Sequence, residues 1–472
     1  MHGLLAYGVY VPHYRLDRSA IAQALGVPAG KGTRSVASFD EDSTSMGVEA
    51  ARAALRQAPG LTPAAVYYAT SDPGYLDKTN ATAIHAALGL PANAAAFDMI
   101  GSVRSGAGAL RAALDARRPT LAVLSDVRIG LPAGGDERDG GDAAVALLCG
   151  DDTAAPVIAT PVASASATAE FLDRWRVPGE SASRQWEERF GEHVYLPLAS
   201  AAVTEALKQA GVTGADLHHV IVAGPHGRAA KGAVRAVGAK PEAVADDLTA
   251  TLGNTGTAHA SLLLADALDR ASADQLIAVV SLADGADVTI WRTTDALAQR
   301  RGTPVATRIA SSAPVSYATY LTWRGHIKRE PPRRPDPEPP AAPPAFRGED
   351  WKFSFVGSKC QACGTRHLPP QRVCVKCHAV DRMSPERLSD VPAVIATFTV
   401  DRLAYSLSPP VVAAVIDFEG GGRFQCEMTD VDPATVQIGQ RVQMTFRRLF
   451  TAEGVHNYFW KAKPLSQTEV SA

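Results

Sequence analysis

Four of the six cysteines in this 472-residue chain lie in one short segment and form two C-x-x-C pairs. A C-x-x-C knuckle can bend so that both thiolates face one ion, and two knuckles complete the tetrahedral thiolate shell that zinc prefers. Such spacing is typical of a metal site rather than of a disulfide framework. We therefore predict a closed structural zinc site, with no open position for catalysis, whose ligands are Cys360, Cys363, Cys374 and Cys377.

The composition favours a cytoplasmic protein with more than one folded domain. A chain of 472 residues exceeds what one hydrophobic core usually serves. The formal net charge is −2, and the only basic stretch, 328–334, is interrupted, so the sequence gives no electrostatic reason to expect nucleic acid or an anionic membrane as a partner. The chain also shows no secretory leader and no apolar run long enough to cross a membrane. Small metabolites or protein partners are therefore expected.

The elements expected to position further chemistry alternate between strands and helices up to about residue 310. Such alternation indicates an α/β fold with a sheet between layers of helices. Two parts of similar rhythm, up to about residue 160 and from about 195 to 295, suggest an internal duplication interrupted by an insertion at 171–194. The predicted strands are 65–70, 120–124, 143–148, 219–223 and 276–281, and the predicted helices include 45–56 and 196–210.

A proline-dense, charged segment separates this region from the cysteine pairs. Residues 331–344 read PPRRPDPEPPAAPP, which we expect to form neither a helix nor a central strand. The chain is accordingly divided into a first domain, a linker, a zinc ribbon and a last domain, which span 1–310, 311–350, 351–385 and 386–472.

The last domain contains short strand-like runs separated by turn signals. Short strands without a long helix predict a small β-barrel of the OB type. Such barrels often bind nucleic acid, but this one lacks the basic groove with interleaved aromatic residues that this function requires. The predicted strands are 393–400, 410–418, 423–428 and 441–446.

Five motifs in the first domain resemble the 3-hydroxy-3-methylglutaryl-CoA (HMG-CoA) synthases and ketoacyl-ACP synthases III of the thiolase superfamily, particularly the archaeal HMG-CoA synthases. The resemblance implies a duplicated α/β/α/β/α sandwich. The part from about 345 to 465 is similar to the zinc-ribbon and OB-fold proteins that accompany thiolase-type enzymes in acyl-CoA pathways. The five motifs are Gly8-Val9-Tyr10-Val11-Pro12, Ser38-Phe39-Asp40-Glu41-Asp42, Ala96-Phe97-Asp98, Gly224-Pro225-His226 and Leu252-Gly253-Asn254-Thr255-Gly256.

The same resemblance identifies a loss at the nucleophile position. Enzymes that condense thioesters use a cysteine at a helix N-terminus, where the thiol pKa is lowered and the thiolate accepts the acyl group. The matching position here is Val103, which carries neither a thiol nor a hydroxyl. Ser102 and Ser105 are neighbouring hydroxyls and remain alternative nucleophiles.

The other family positions keep polar side chains. His226 and Asn254 match the pair that polarises the thioester carbonyl, although the asparagine could instead be a turn residue. Asp72 stands in the place of the family's acid–base glutamate, or is a turn residue before Pro73. Lys231 matches a position that helps to hold CoA, or is a solvated helix lysine. The predicted catalytic residues are therefore His226, Asn254 and Asp72, with Lys231 as a CoA-binding residue.

This combination favours an enzyme that forms or cleaves a carbon–carbon bond in an acyl-CoA substrate, by aldol or retro-aldol chemistry. Such a reaction needs a polarised thioester and a base but no acyl-enzyme. Two alternatives remain open: an acyltransferase that uses another nucleophile, and a non-catalytic partner of a cysteine-bearing homologue. Because thiolase folds pack as dimers, a homodimer or hetero-oligomer through the first domain is expected.

Overall fold

The computed structural model describes residues 1–299, 302–335 and 337–465. The chain divides into two compact units, each composed of three segments. Because the segments alternate along the chain, the polypeptide passes repeatedly from one unit to the other, and the predicted domain boundaries remain predictions. Unit 1 comprises Met1–Ser38, Met46–Thr82 and Ala92–Tyr320, and unit 2 comprises Phe39–Ser45, Ala83–Pro91 and Leu321–Ala472.

Unit 1 is an α/β structure with short accessory strands. Its strands are β1 (His2–Tyr10), β2 (Tyr14–Asp17), β3 (Thr33–Val36), β4 (Ala65–Thr70), β5 (Ala95–Ile100), β6 (Thr120–Asp126), β7 (Ala143–Asp151), β8 (Ala159–Ala167), β9 (Arg174–Trp175), β10 (Arg184–Gln185), β11 (His219–Ala223), β12 (Leu276–Leu282), β13 (Ala286–Thr293) and β14 (Ala313–Pro314). Its helices are α1 (Arg18–Leu25), α2 (Ser43–Arg56), α3 (Ala81–Leu88), α4 (Ser105–Asp115), α5 (Gly135–Asp139), α6 (Glu188–Ala210), α7 (Gly227–Val237), α8 (His259–Arg270), α9 (Val305–Ala310) and α10 (Tyr317–Trp323), of which α2, α3 and α10 also extend into unit 2.

The main sheet of unit 1 shows the predicted duplication. Among the described residues its strand order is β11-β12-β13-β8-β1-β7-β6-β4-β5. If the strands of each half are numbered in chain order, the first half, β5-β4-β6-β7-β1, has the order third, second, fourth, fifth, first from its outer edge. The second half, β11-β12-β13-β8, has the order second, fourth, fifth, first. The missing third strand of the second half is reduced to one parallel bridge, Val220 to Val244. The two halves meet at the pair Leu4 and Ala159.

This topology places the candidate residues in corresponding loops. Asp72 follows β4 and Val103 follows β5, which is parallel to β4. In the second half His226 follows β11, and Asn254 follows the segment that bridges to β11. The carboxyl ends of adjacent parallel strands lie at one edge of a sheet, where α/β proteins bind their ligands.

The insertion is more ordered than a spacer. It forms the two-stranded sheet of β9 and β10, and its last residues begin α6 eight residues before the predicted start at residue 196. The helix continues through Pro197, and Tyr195, Ala199 and Val203 are buried on one side. The insertion is therefore part of the packed second half.

Unit 2 contains the zinc ribbon and the OB-type sheet. The five-stranded sheet has the order β20-β19-β18-β21-β22, and its two edges meet at a single bridge between Met428 and Ala462. The three-stranded ribbon sheet has the order β16-β15-β17. The elements are α11 (Ala342–Arg347), α12 (Glu349–Lys352), β15 (Val356–Cys360), β16 (Arg366–His367), β17 (Met383–Arg387), β18 (Ala393–Asp401), β19 (Val411–Phe418), β20 (Arg423–Glu427), β21 (Arg441–Ala452) and β22 (Val455–Pro464). Residues 466–472 of the predicted OB domain lie outside the described residues.

A buried cluster of charges lies within unit 2. Arg447 on β21 is fully buried, and its Nη2 lies 2.6 Å from Asp430 Oδ2 and 3.3 Å from Glu41 Oε1. The ammonium of Lys461 on β22 lies 3.0 Å from Asp40 Oδ2. The predicted motif around Asp40 and Glu41 thus supplies carboxylates that are buried against cations of the β21–β22 hairpin.

The expectation that the proline-dense segment contains no helix is wrong at its end. Residues 342–344 form the first turn of α11. Proline is tolerated there because the first N–H groups of a helix have no intrahelical partner and the fixed φ of proline suits a helix. Within the described residues, no helix is long and apolar enough to span a membrane.

Candidate functional site

A cavity of about 650 Å³ in unit 1 lies beside the position where a nucleophile was expected. We call it the α4 cavity, because α4 lines it together with α8, β8, β12 and β13. Val103 lies in the loop that leads from β5 into α4 and is half-buried at the cavity wall, next to Ser102 and Ser105. The side chain at the helix N-terminus is therefore an isopropyl group.

A second cavity, of about 530 Å³, contains most of the other predicted residues. We call it the His226 cavity. His226, Asn254 and Lys231 all line it. It shares Ala223, Gly224 and His259 with the α4 cavity, so these residues form a common wall. The structure brings three predicted residues together and places Val103 in the neighbouring cavity, whereas Asp72 lines neither.

The hydrogen bonds of His226 determine its tautomer. Its Nδ1 accepts from the N–H of Ala229 at 3.0 Å, which makes the histidine the N-cap of α7. The proton of the neutral ring is therefore on Nε2, which donates to the carbonyl of Glu188 at 2.7 Å. Gly191 allows this approach, since a Cβ there would lie 2.6 Å from the ring. His226 thus presents an N–H donor, as an oxyanion site requires.

Asn254 is fixed by the backbone around it. Its Nδ2 donates to the carbonyl of Gly224 at 2.7 Å and its Oδ1 accepts from the N–H of Gly256 at 3.0 Å. The preceding Gly253 has φ +82°, and a Cβ there would lie 2.2 Å from the carbonyl oxygen of Gly140. The second N–H of the Asn254 amide has no partner among the described residues. Asn254 can therefore connect the two glycine loops and still donate one hydrogen bond.

Asp72 is held in an ion pair instead of facing either cavity. Its Oδ1 lies 3.5 Å from Nη1 of Arg176, and the same guanidinium donates to the carbonyl of Ser71. The N–H of Asp72 donates to Thr70 Oγ1 at 3.0 Å, which is a turn contact. In this conformation the carboxylate is half-buried and lies next to a cation.

Asp173, which the sequence analysis did not single out, is one of five acidic residues that line the His226 cavity. It is buried, and the loss of hydration raises its pKa, against the opposing effect of charge on His226 and on Arg174. A carboxyl in an enclosed site with a raised pKa is a candidate for proton transfer. The available signal was its position directly before Arg174-Trp175-Arg176, in the insertion that the sequence analysis noted only as an interruption of the duplication.

The β9–β10 hairpin forms part of the wall of this cavity. Arg174 makes an ion pair with Asp136, and Gln185 donates to the same carboxylate at 3.1 Å. The N–H of Trp186 donates to the carbonyl of Asp173 at 2.8 Å. The insertion therefore positions Asp173 and encloses the site.

Lys231 provides an unpaired cation at the edge of the cavity. Its side chain on α7 is exposed and has no ion-pair partner among the described residues, whereas Arg228 lies 3.3 Å from Glu188. A free ammonium of this kind suits a phosphate or a pantetheine carbonyl.

His259 is a second histidine that the sequence analysis missed. It is 2% exposed, and burial lowers its pKa to about 4. Its Nδ1 lies 3.3 Å from Thr255 Oγ1. Because this ring remains neutral and belongs to the wall shared by both cavities, it is a fixed spacer between them.

The four cysteines of the ribbon converge as the spacing predicts. Their Sγ atoms all lie within 4.8 Å of one another, with 3.6 Å between Cys360 and Cys377 and 3.5 Å between Cys363 and Cys374. A tetrahedral site with zinc–sulfur bonds of about 2.3 Å has sulfur–sulfur edges of about 3.8 Å. The N–H of Cys377 also points to Cys374 Sγ at 3.5 Å. The donor set fits zinc.

Comparisons with known proteins agree with the two-part organisation. Residues 353–381 match the family model "ChsH2, rubredoxin-like zinc ribbon domain", and residues 386–447 match "ChsH2, C-terminal OB-fold domain". The hydroxymethylglutaryl-CoA synthase of Pyrobaculum neutrophilum is 29% identical over 352 residues, which cover 69% of this chain and 98% of that protein. That of Archaeoglobus fulgidus is 28% identical over 348 residues, which cover 70% and 100%.

Solved structures show the same fold. A crystal structure of HMG-CoA synthase complexed with CoA has a TM-score of 0.58 at 19% identity and covers 68% of this chain and 89% of that one. The HMG synthase of the curacin biosynthetic pathway, in complex with an acetyl donor-ACP, has a TM-score of 0.58 at 20% identity and covers 69% and 88%. The predicted resemblance is thus confirmed: a thiolase-like fold similar to HMG-CoA synthases precedes a zinc ribbon and an OB-fold domain.

Proposed function

We propose that this chain forms or cleaves a carbon–carbon bond in a CoA thioester by aldol-type chemistry, without an acyl-enzyme intermediate. The observation that carries the proposal is that His226, which presents an N–H donor, lies in one cavity with Asn254. The neighbouring cavity has Val103 at the position where a nucleophile was expected. Zinc in the ribbon has a structural role, because four thiolates leave no coordination position for a substrate.

Polarisation of the thioester carbonyl is the first step that these residues support. The Nε2–H of His226 donates to a neutral carbonyl, that of Glu188. An enolate oxygen accepts a stronger hydrogen bond than a neutral amide does, so a developing negative charge can replace that partner. Asn254 contributes its second N–H to the same oxygen.

Proton transfer is the second step. In the cleavage direction, a carboxylate removes the proton of the β-hydroxyl, the bond between Cα and Cβ breaks as the new carbonyl forms, and the electron pair moves to the thioester enolate. The enolate is then protonated at Cα, and addition is the reverse. Asp173 and Asp72 are the two candidate bases, and Asp173 is favoured because it lines the same cavity as His226.

Acyl transfer through a serine has less support. Ser102 and Ser105 line the α4 cavity, but among the described residues neither hydroxyl is hydrogen-bonded to a histidine or carboxylate that could act as a base. A serine needs such a neighbour to become a nucleophile.

The test combines turnover with a search for a covalent adduct. The purified chain is incubated with β-hydroxyacyl-CoA esters, and release of the carbonyl product is followed while the intact protein is weighed by mass spectrometry. We expect turnover without an acyl adduct, and a loss of about 100- to 1,000-fold for His226→Ala, the effect of removing an oxyanion donor. His193→Ala, an exposed histidine on α6, is the matched control and should retain activity.

Variants of the two candidate carboxyl residues identify which of them acts as the base. Asp173→Asn should abolish most turnover if Asp173 transfers the proton, whereas Asp72→Asn should do so if the original prediction is correct. A stable acyl adduct would instead support the acyltransferase. Turnover that appears only when a cysteine-bearing homologue is added would support the partner role.

A further inference from the structure

The α4 cavity is large for the reacting carbons of a thioester. Its volume of about 650 Å³ lies in the middle of the range of roughly 300–1,000 Å³ that holds ligands of drug size. Acyl groups of two to four carbons would fill only a small part of it. The polar donors that the proposed reaction needs lie in the other cavity, so this space has a separate purpose.

The cavity runs along one face of α4. Lining residues Arg104, Ala107, Arg111 and Leu114 recur at the spacing of a helix face. From Ser105 to Asp115 this face is about 16 Å long at 1.5 Å per residue. The cavity is therefore elongated in the direction away from Val103.

Much of the lining is apolar, with hydroxyl side chains between the apolar residues. Leu110, Leu114, Leu264, Val279 and Trp291 contribute hydrocarbon and aromatic surface. The one internal ion pair, with 2.9 Å between Nε of Arg104 and Oδ2 of Asp287, compensates its own charges. The other two charged residues of the lining, Arg111 and Asp115, are exposed, and Arg111 donates to Ser166 Oγ at 3.1 Å. The free ammonium of Lys231 lies in the His226 cavity.

We propose that the α4 cavity receives the acyl chain of a bulky, apolar acyl thioester, while the pantetheine and phosphates lie in the His226 cavity. This inference rests on the proposed function, which places the thioester carbonyl at the donors of His226 and Asn254. Asn254 donates to the carbonyl of Gly224, which belongs to the wall that the two cavities share. The isopropyl group of Val103 then forms apolar wall at the start of the chain. The substrate class is a long or branched acyl group rather than acetyl or acetoacetyl.

Gly108 offers a direct way to fill the cavity. It lies on α4, lines the cavity, and a Cβ at this position would meet no atom within 4 Å. Gly108→Leu therefore adds a side chain to open space without a clash, and leucine also favours the helix. Gly108→Ala, which adds a single methyl group, is the matched control.

The experiment measures the affinity of the full chain for 2-oxoalkyl-CoA thioethers, which keep the carbonyl but cannot be cleaved. Their alkyl chain is lengthened stepwise from methyl to undecyl, and binding is followed by calorimetry. We expect Kd to fall by up to about fourfold for each methylene that enters the cavity. Gly108→Leu should remove this gain for long chains and leave the methyl compound within about twofold of the unmodified chain, and Gly108→Ala should change neither. Leu114→Ala, which enlarges the far end, should tighten the longest analogue.

Two results would overturn the inference: a Kd that does not depend on chain length, or a Gly108→Leu variant that weakens short and long analogues equally. The CoA part is tested separately with S-acyl thioesters of N-acetylcysteamine, which lack the nucleotide and most of the pantetheine. If these show the length dependence while no CoA analogue binds, the acyl cavity stands and the proposed use of CoA fails.

Discussion

A condensing enzyme normally combines two functions, covalent binding of the acyl group and polarisation of a thioester carbonyl, and position 103 concerns only the first. The chain has Val103 where the family resemblance predicts the cysteine that accepts the acyl group, whereas His226 and Asn254 present hydrogen-bond donors in the neighbouring cavity. Chemistry that depends on an enolate needs only the second function. A valine at this position therefore fits the proposed mechanism without an acyl-enzyme.

A thiol at this position should be acylated. Val103→Cys places the sulfur next to the N-terminus of α4, where the helix dipole lowers the pKa of a thiol. We expect a covalent acyl adduct, detected by intact mass spectrometry after incubation with acyl-CoA, that the unmodified chain does not form. Ser102→Cys, one residue away in the same cavity, is the control and should react more slowly. Equal labelling of both variants would contradict the assignment of position 103.

Burial of His259 predicts a loss of stability in mild acid. Its pKa is lowered to about 4 in the folded chain, against about 6.5 when unfolded, so the unfolded state binds the proton more readily. The stability is fully present above pH 6.5 and falls as the pH decreases towards 4, by at most about 3 kcal/mol. Urea denaturation across this range should show the loss, and His259→Gln should flatten it. An unchanged slope in the variant would assign the effect to other groups.

The positions at strand ends were predictable because strand His219–Ala223 is a clear apolar run and delivers His226 directly after a Gly-Pro turn. Asp173 was not, because its role depends on the β9–β10 hairpin and on contacts with residues distant in sequence. The hydrogen bonds that fix the His226 tautomer come from Glu188 and Ala229, one on each side of that ring. No local sequence pattern predicts the partner Glu188, which is 38 residues away from His226. The role of Asp72 remains a prediction.

Among the elements, strands with turn signals at both ends were found, whereas the β9–β10 hairpin and the partner strand of β21 were missed. Strand β22 follows β21 after Glu453 and Gly454, both with positive φ. Such a pair forms the tight turn of a β-hairpin, but Glu-Gly is a weaker signal than Asn-Gly or Asp-Gly. The polar start of β22, Val-His-Asn, also hides its alternation.

The zinc ribbon should depend on its metal. Because the ligands converge only in the folded state, the free energy of metal binding contributes to folding. Treatment with a strong chelator should release about one zinc per chain, measured by elemental analysis, and unfold the ribbon, detected as protease sensitivity between 353 and 387. Cys374→Ser should have the same effect, whereas Cys426→Ser, outside the cluster, should retain the metal. A ribbon that stays protected without metal would refute the site.

The alternation of the two units along the chain means that residues near the N-terminus belong to the fold of the C-terminal part. Asp40 and Glu41 are buried within unit 2, where Arg447 and Lys461 compensate their charges. The proline-dense segment marks a boundary in composition, yet it does not separate all residues of one unit from those of the other. Composition is a property of neighbouring residues in the sequence, whereas these ion pairs join residues about 400 positions apart, so composition alone could not predict them.

Removal of Arg447 should therefore destabilise the chain strongly. Arg447→Ala leaves the carboxylates of Glu41 and Asp430 buried without their cation, which costs about 3–5 kcal/mol. Arg441→Ala removes an exposed pair with Glu419 and should cost no more than about 1 kcal/mol. Thermal and urea unfolding of both variants measures the difference. Equal effects would show that burial of the Arg447 cluster contributes nothing.

The valine at position 103 also determines how the chain should respond to oxidants. Burial raises the pKa of the Cys149 and Cys426 thiols to about 12, so neither is a thiolate at neutral pH, the form that peroxide attacks. The two solvent-exposed cysteines, Cys363 and Cys377, both belong to the ribbon. Oxidative damage would therefore release zinc from the ribbon and leave both cavities chemically intact, whereas an enzyme with a catalytic cysteine is inactivated at the site itself.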